Sequence, residues 1–516
     1  MAIQRRQPAL FSVDSDVDLL DVEDRKTDEL VLGFVGPIGS GISYCAKMFS
    51  EVLKSQFGYE GKSHKVSGII NQNTKVLGEQ VVAPTDTRRT EKLQHYGTRL
   101  RQTFGNTYLI EKIVAQINLD RGSSESLPKA RRHFTIIDSI KHPDEVKRLR
   151  EVYGETFWLI GIFAPDEVRR GRIIAEGHNE NYVVEIFKRD EDEGLKSGQR
   201  VRDAMFLADF FIRNDGDNDK NLRRTVDRFL DVMFAIGVQT PTRDESAMYG
   251  ATSAAAESAC LSRQVGAVIA NTDGDIIGMG NNDVPKFGGG LYSQDDGDGD
   301  HRCFQWRGKI CHNDFRKEEI LSRIAVALGE AGIFDSKSGT VDPKRQAKAI
   351  DVLHSSDVRN LIEFSRAVHA EMEAIISVAR NGKAGLIGGT LYSTTFPCHS
   401  CARHIVAAGI KRVIYIEPYT KSLALNLHED TISIHESDHT KKVVFLQYEG
   451  VAPRNMIRLF KDRGDRKKDG KLLLTNRLEA KPVSLAPLDG FEARERLVVA
   501  RLTKIESVQA AGGTNG

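Results

Sequence analysis

The sequence predicts an α/β chain of two domains, the first built on a parallel sheet, and three observations carry that expectation. Strand-length apolar runs alternate with helix-length amphipathic segments from residue 29 onward, as in a parallel sheet clothed by helices. The chain has 516 residues, enough for two or three separate cores. Hydrophobic residues make up 40% and charged residues 28%, the mixture of a globular protein.

Taken in order, residues 1–28 are polar and predict a tail. LVLGFVG, residues 30–36, reads as a buried strand. It runs into GPIGSGIS at 36–43 and then a helical stretch to about Lys54. FTIID (134–138), FWLIGIF (157–163) and ADFFIRNDG (208–216) predict further strands, with EVKRLREVYG a helix after the first of them. The first domain is expected over 29–235. A helical segment at 242–263 opens the second, expected over 236–465. VGAVIA (265–270) and DIIGMG (275–280) flank NTDG, a hairpin signal. The Gly- and Asp-rich stretch 286–312 is an insertion whose order the sequence leaves open. Helices at 314–330 and 368–382 and strands at 389–395 and 412–417 follow. Residues 466–516 form a C-terminal extension, with a helix expected at 493–507.

Acidic and basic residues number 72 and 73. A chain that lives on nucleic acid usually carries a basic surplus, so the balance favours a small-molecule substrate. No apolar run reaches the roughly 18 residues of a membrane span, and the amino terminus lacks the apolar stretch of a signal peptide. Six cysteines are too few for a disulfide scaffold. Reduced thiols, metal binding and a cytoplasmic location are the corresponding expectations.

The chemistry concentrates in His369-Ala370-Glu371 and Pro397-Cys398-His399-Ser400-Cys401. A catalytic zinc takes three nitrogen or sulfur ligands and keeps one position open. His369, Cys398 and Cys401 meet that count. Cys398 and Cys401, three apart, share a helix face, and a helix amino terminus favours thiolates. Glu371, two residues beyond His369, is placed to reach a water rather than the metal, and is the expected proton shuttle. His-x-Glu followed by Pro-Cys-x-x-Cys is the signature of zinc deaminases acting on cytosine or adenine. His399 and His404 are expected to lie beside the metal rather than on it.

With SACLSRQVGAVI (258–269), GNNDVP (280–285), EPYTKSLALNLHED (417–430) and EGVAPRNMIRLF (449–460), residues 242–462 resemble a deoxycytidylate deaminase of the cytidine deaminase superfamily, an α/β/α sandwich. The resemblance implies that Asn282 binds the sugar 3′-hydroxyl. Arg263 and Lys421 are candidates for phosphate contact, with Tyr419 lining the same pocket. The insertion carries His301, Cys303, Cys311 and His312; with Cys260 these allow a second, structural zinc, while reduced, unligated side chains are the favoured expectation.

Gly36, Gly39, Ser40, Gly41 and Ser43 stand where a phosphate-binding loop belongs, between a strand and a helix. The pattern requires lysine at 42, which is Ile42, and Lys47 is too far along to replace it. The loop is expected to bind a nucleotide phosphate, with Ser43 able to hold Mg2+, but not to transfer a phosphoryl group. With Asp138 ending a second acidic strand, Arg169, Arg170 and Arg172 in a lid-like position and NDG at 214–216, residues 29–230 resemble a nucleoside monophosphate kinase.

Both domains in this order resemble the bacterial antiphage dCTP deaminases. That resemblance implies deamination of dCTP or dCMP in defence, a homo-oligomer and, for some members, a small inhibitory RNA as partner, while the loop that keeps its glycines and Ser43 but lacks the lysine at 42 leads to the expectation of a regulatory nucleotide. Three alternatives remain from the residues: a polynucleotide cytosine deaminase, an active nucleotide kinase with a regulatory deaminase fold, and a non-catalytic nucleotide sensor, against which the intact Glu371 argues.

Overall fold

A computed structural model of the chain describes residues 26–122, 132–191, 193–216, 219–333, 342–354, 356, 364–419, 421–461 and 464–512. It divides into two compact units. One holds Met1–Ala208, Asn214–Val238 and Asp465–Gly516; the other holds Asp209–Arg213 and Gln239–Gly464. Most of the expected N-terminal tail lies outside the described residues.

The first unit is a parallel sheet with helices. In chain order it runs β1 (Leu30–Val35), α1 (Ile42–Phe57), β2 (Glu60–Lys65), α2 (Arg89–Phe104), α3 (Tyr108–Gly122), β3 (His133–Ile140), α4 (Pro143–Tyr153), β4 (Phe157–Phe163), α5 (Asp166–Ala175), α6 (Glu180–Glu191) and α7 (Asp219–Met233). The strands lie in the order β4-β1-β3-β2 and all pairs are parallel. Every residue of β1 and β4 is buried, which is why both read as unbroken apolar runs. The edge strand β2 is EGKSHK and mostly exposed; it joins by backbone pairing to β3, so its polar sequence gives no strand signal.

The second unit contains α8 (Arg243–Glu257), β5 (Gly266–Ala270), β6 (Ile276–Asn281), α9 (His312–Glu330), α10 (Ala370–Arg380), β7 (Thr390–Thr395), α11 (His399–Ala407), β8 (Arg412–Glu417) and β9 (Val443–Gln447). Its sheet runs β9-β8-β7-β5-β6, with a short strand, Ile432–Ser433, outside β9. The β5–β6 hairpin and the β5–β7 pair are antiparallel, whereas β7, β8 and β9 are parallel. The helix expected at 242–263 ends at Glu257. The segment beyond it turns instead to bond across the unit, the Asp283 carboxylate accepting from the Ala259 amide at 2.8 Å. The insertion is folded where described: the guanidinium of buried Arg302 donates to Asp300 at 2.8–3.0 Å.

The last helix, α12 (Leu488–Gly512), belongs to the first unit. Arg121 of α3 bridges Glu29 at 2.8 Å and Glu495 of α12 at 3.1 Å, all three side chains nearly buried. Charges so enclosed are kept only when paired, and the pairing fixes α12 against α3. Among the described residues no helix is long and apolar enough to cross a membrane.

Candidate active site

Two helix starts converge on one point. His369 is the N-cap of α10 and Cys398 the N-cap of α11, both in extended backbone. An N-cap side chain projects past the helix end rather than along its flank. Cys401 follows one turn later, and its amide donates to the Cys398 sulfur at 3.4 Å. His369 Nδ1 lies 3.4 Å from Cys398 Sγ and 3.3 Å from Cys401 Sγ. All three ligand atoms fall within 4.8 Å of one another. A tetrahedral ion with bonds of about 2.0–2.3 Å holds neighbouring ligand atoms roughly 3.5 Å apart, so the three residues fit zinc.

Glu371, in the first turn of α10, is buried with its Oε2 3.5 Å from Cys401 Sγ. Burial raises its pKa above the ordinary carboxyl value. Cys398 is pulled down to about 4 by the Cys401 thiol and the His369 imidazole, while Cys401 is pushed up by the same contact. His369 is raised to about 9, chiefly by its bond to Cys398.

The placement of α10 depends on glycine. A Cβ on Gly280 of β6 would stand 2.4 Å from the Ala374 amide nitrogen and 2.6 Å from the Ala370 carbonyl; on Gly278 it would stand 2.7 Å from the Ala374 carbonyl. Only bare backbone lets α10 lie this close to the strand. The backbone of Val368, next to His369, donates to the Asp283 carbonyl at 2.9 Å. We expect Gly280→Val to displace His369 and Glu371 together and lower kcat by about 10²-fold in a soluble protein. Turnover near that of the parent would refute this positioning role.

A cavity of about 210 Å³ opens on these groups, with Glu371, Asn282, Arg263, Phe396, Tyr419 and Arg366 in its wall. Asn282 accepts from the Val265 amide at 2.7 Å and donates to the Arg263 carbonyl at 2.8 Å, holding the loop that forms one wall. Arg263 is half-exposed and paired with Glu417. Lys421 is exposed and is not in the wall. Phe396 stands edge-on to Tyr415 at 4.9 Å. Arg366, three residues before His369, went unremarked in the sequence because a single arginine in a loop has no periodic signal.

Cys260, Cys303, Cys311 and His312 line the same cavity. Among the described residues only His369, Cys398 and Cys401 bring three ligand atoms within reach of one ion, so Cys260, Cys303, Cys311 and His312 are not gathered into a second group. The cation of Arg366 lies against Cys303, 4.0 Å from its sulfur, and Ser262 faces Cys311 at 3.4 Å. Of the two histidines near the ligands, His404 bonds the Ser400 carbonyl at 2.7 Å, and buried His399 Nδ1 has no partner among the described residues.

The glycine-rich loop of the first unit borders a second cavity. Gly39, Gly41 and Ser43 line it, whereas Gly36 and Ser40 lie behind it. Gly39 and Gly41 have φ of 81° and 80°, the left-handed region that favours glycine. Ser43 donates to Asp138 at 2.6 Å. Arg169 and Arg172 reach the Ile38 and Gly39 carbonyls at 3.2 and 3.0 Å, and Arg170 pairs with Glu180. Asn214 donates to the Ser40 carbonyl at 2.8 Å. Lys47 is exposed and faces Glu51.

Residues 241–417 match the family described as "Cytidine and deoxycytidylate deaminase zinc-binding region". The deoxycytidylate deaminase of Enterobacteria phage T4 is 32% identical over 169 residues, 32% of this chain and 73% of that protein. A UPF0200 protein of Saccharolobus islandicus is 22% identical over 189 residues, 36% of this chain and 94% of that protein. The solved dCMP deaminase of cyanophage S-TIM5 aligns over 41% of this chain and 99% of its own at 18% identity, with a TM-score of 0.23, too loose a superposition to add to the sequence match. A His/Cys/Cys cluster with zinc spacing, a buried glutamate beside it and this match together place the chain in the cytidine and deoxycytidylate deaminase family.

Proposed function

We propose that the chain hydrolyses the exocyclic amine of cytosine in a free deoxycytidine nucleotide, dCTP or dCMP, giving the uracil nucleotide and ammonia. The observation that carries this reading is the buried carboxyl of Glu371 beside the His369–Cys398–Cys401 cluster, at a cavity of about 210 Å³. His369, Cys398 and Cys401 would hold zinc, which would supply a water of lowered pKa. Glu371 would take a proton from the attacking water and deliver it to ring N3. The deprotonated water oxygen adds at C4, and Glu371 then takes the remaining proton from the new C4 hydroxyl and passes it to the amine, so that the C4–N bond breaks, the C4 carbonyl forms and ammonia leaves. Phe396 offers an apolar face to the ring. Asn282 keeps one N–H and one lone pair for a sugar hydroxyl, and Arg263 and Arg366 supply positive charge for the phosphate end. Such an activity drains a deoxycytidine nucleotide pool, which suits a role in antiphage defence.

The size of the cavity and the near-zero net charge of the chain favour a single nucleotide over a strand, which would need a basic groove with stacking aromatics. Purified, zinc-loaded protein incubated with dCMP, dCTP, CTP and single-stranded DNA is expected to yield uracil product from dCMP or dCTP. Product from the DNA alone would overturn the reading.

We also propose that the first unit binds a nucleotide without transferring its phosphate. The glycine cradle and Ser43 are present at the cavity, while Ile42 occupies the lysine position and is buried. The lost cation is the one that engages the terminal phosphates during transfer.

A further inference from the structure

The missing lysine of the loop has a structural counterpart elsewhere in the chain. Lys141 follows the end of β3, and its Nζ lies 2.9 Å from the Gly36 carbonyl and 2.9 Å from Asp190 Oδ1. Asp190, near the end of α6, is almost wholly buried, and its Oδ2 accepts from the Ile38 amide at 2.7 Å. One loop amide and one ammonium therefore share a carboxylate, the same pair of donors that would hold a phosphate oxygen in such a loop. No side chain caps α1 at Gly41, so the helix start is also open to an anion.

The cavity beside this pair is about 440 Å³ and is bordered by five cationic side chains, Lys65, Arg89, Arg101, Lys141 and Arg172, against three acidic ones, Asp138, Glu176 and Asp190. It also carries buried polar atoms that nothing in the described residues satisfies. Arg101 is 1% exposed and bonds Glu145 through Nε and Nη2, but its Nη1 has no partner. Gln94 Oε1, at a residue 5% exposed, and Gln199 Oε1, at one 4% exposed, are likewise unpaired. Buried donors and acceptors are costly to leave unsatisfied. Three of them on one cavity wall, from α2 and the segment after α6, point to a polar ligand that spans it.

We propose that this cavity takes a nucleoside polyphosphate whose terminal phosphate displaces Asp190, with Lys141 serving as the phosphate-binding cation that Ile42 cannot be. The proposal rests on the reading of the first unit as nucleotide-binding and adds its cation and its competitor. Asp190 is an internal anion that occupies the loop until a ligand replaces it. Its departure frees α6, which carries it, so that occupancy of the loop and the position of α6 are coupled. Such a device transmits binding only because the two states differ in affinity for the ligand.

Calorimetric titration of the full-length, zinc-loaded protein with sodium tripolyphosphate and with ATP tests this. Neither probe carries a cytosine, so the deaminase cavity does not contribute a reaction. Asp190→Ala and Asp190→Asn are expected to bind both probes about tenfold tighter than the parent, because the competing anion is gone. Lys141→Ala is expected to bind them about tenfold weaker, and Lys141→Arg to restore most of the affinity. Circular dichroism and zinc content verify that each variant is folded. ATP binding that ignores both positions overturns the assignment of Lys141 and Asp190 while leaving a nucleotide site in place. No binding of either probe at millimolar concentration, by the parent or by either Asp190 variant, removes the nucleotide reading itself.

Discussion

Zinc-loaded Glu371→Ala is expected to retain its metal and to lose deamination by about 10²–10⁴-fold, the range that a positioned general acid–base supplies. The carboxyl lies beside the ligand cluster but belongs to no ligand set: its nearest recorded partner there is the Cys401 sulfur at 3.5 Å. Removing it takes away the group that moves the proton and leaves the histidine and both thiolates in place. Glu371→Gln is the sharper variant, because it preserves shape and hydrogen bonding but cannot accept a proton and return it. Metal content by atomic spectroscopy and turnover of dCMP and dCTP are the two readouts. Rates within a few-fold of the parent, at full zinc occupancy, would rule out Glu371 as the shuttle.

Cys401→Ala is expected to have the second large effect, on metal and stability together. Cys401 is fully buried on the first turn of α11, and Cys398 caps that helix. Losing a ligand should empty the site and free the start of α11 from α10, since binding energy at such a site is folding energy. At about 2–4 °C per kcal/mol for a domain of this size, the melting temperature of the second unit should fall by roughly 5 °C or more. Chelation of the parent should reproduce that shift. A Cys401→Ala protein with unchanged zinc and unchanged melting would show that the ligand set is wrong.

The cluster of His369, Cys398 and Cys401 was legible in the sequence because each of its two pieces is local. Cys398 and Cys401 lie one helical turn apart, and His369 and Glu371 share the opening of a single helix, so spacing alone expresses their relation. The strands Leu30–Val35 and Phe157–Phe163 were legible for a related reason: burial on both faces writes itself as an unbroken apolar run. The edge strand Glu60–Lys65 could not be read this way, since its pairing is carried by backbone groups that every residue possesses.

Other features depend on partners far away in the chain. Gly280 looked like an ordinary glycine of a strand end until α10 was found resting on it. The C-terminal extension gave no sign of its place until Glu495 met Arg121. Lys141 and Asp190, separated by two helices and a strand, are each an unremarkable charged residue in the sequence. The sequence by itself determined the His/Cys/Cys cluster and its neighbouring glutamate, because a cluster built on two helix starts is specified by residue type and short-range spacing. Only the tertiary structure decided that Asp190 meets the glycine-rich loop at the Ile38 amide with Lys141 beside it, because that contact comes from packing α6 against α2 and α5, and no local pattern encodes which distant charges packing will bring together.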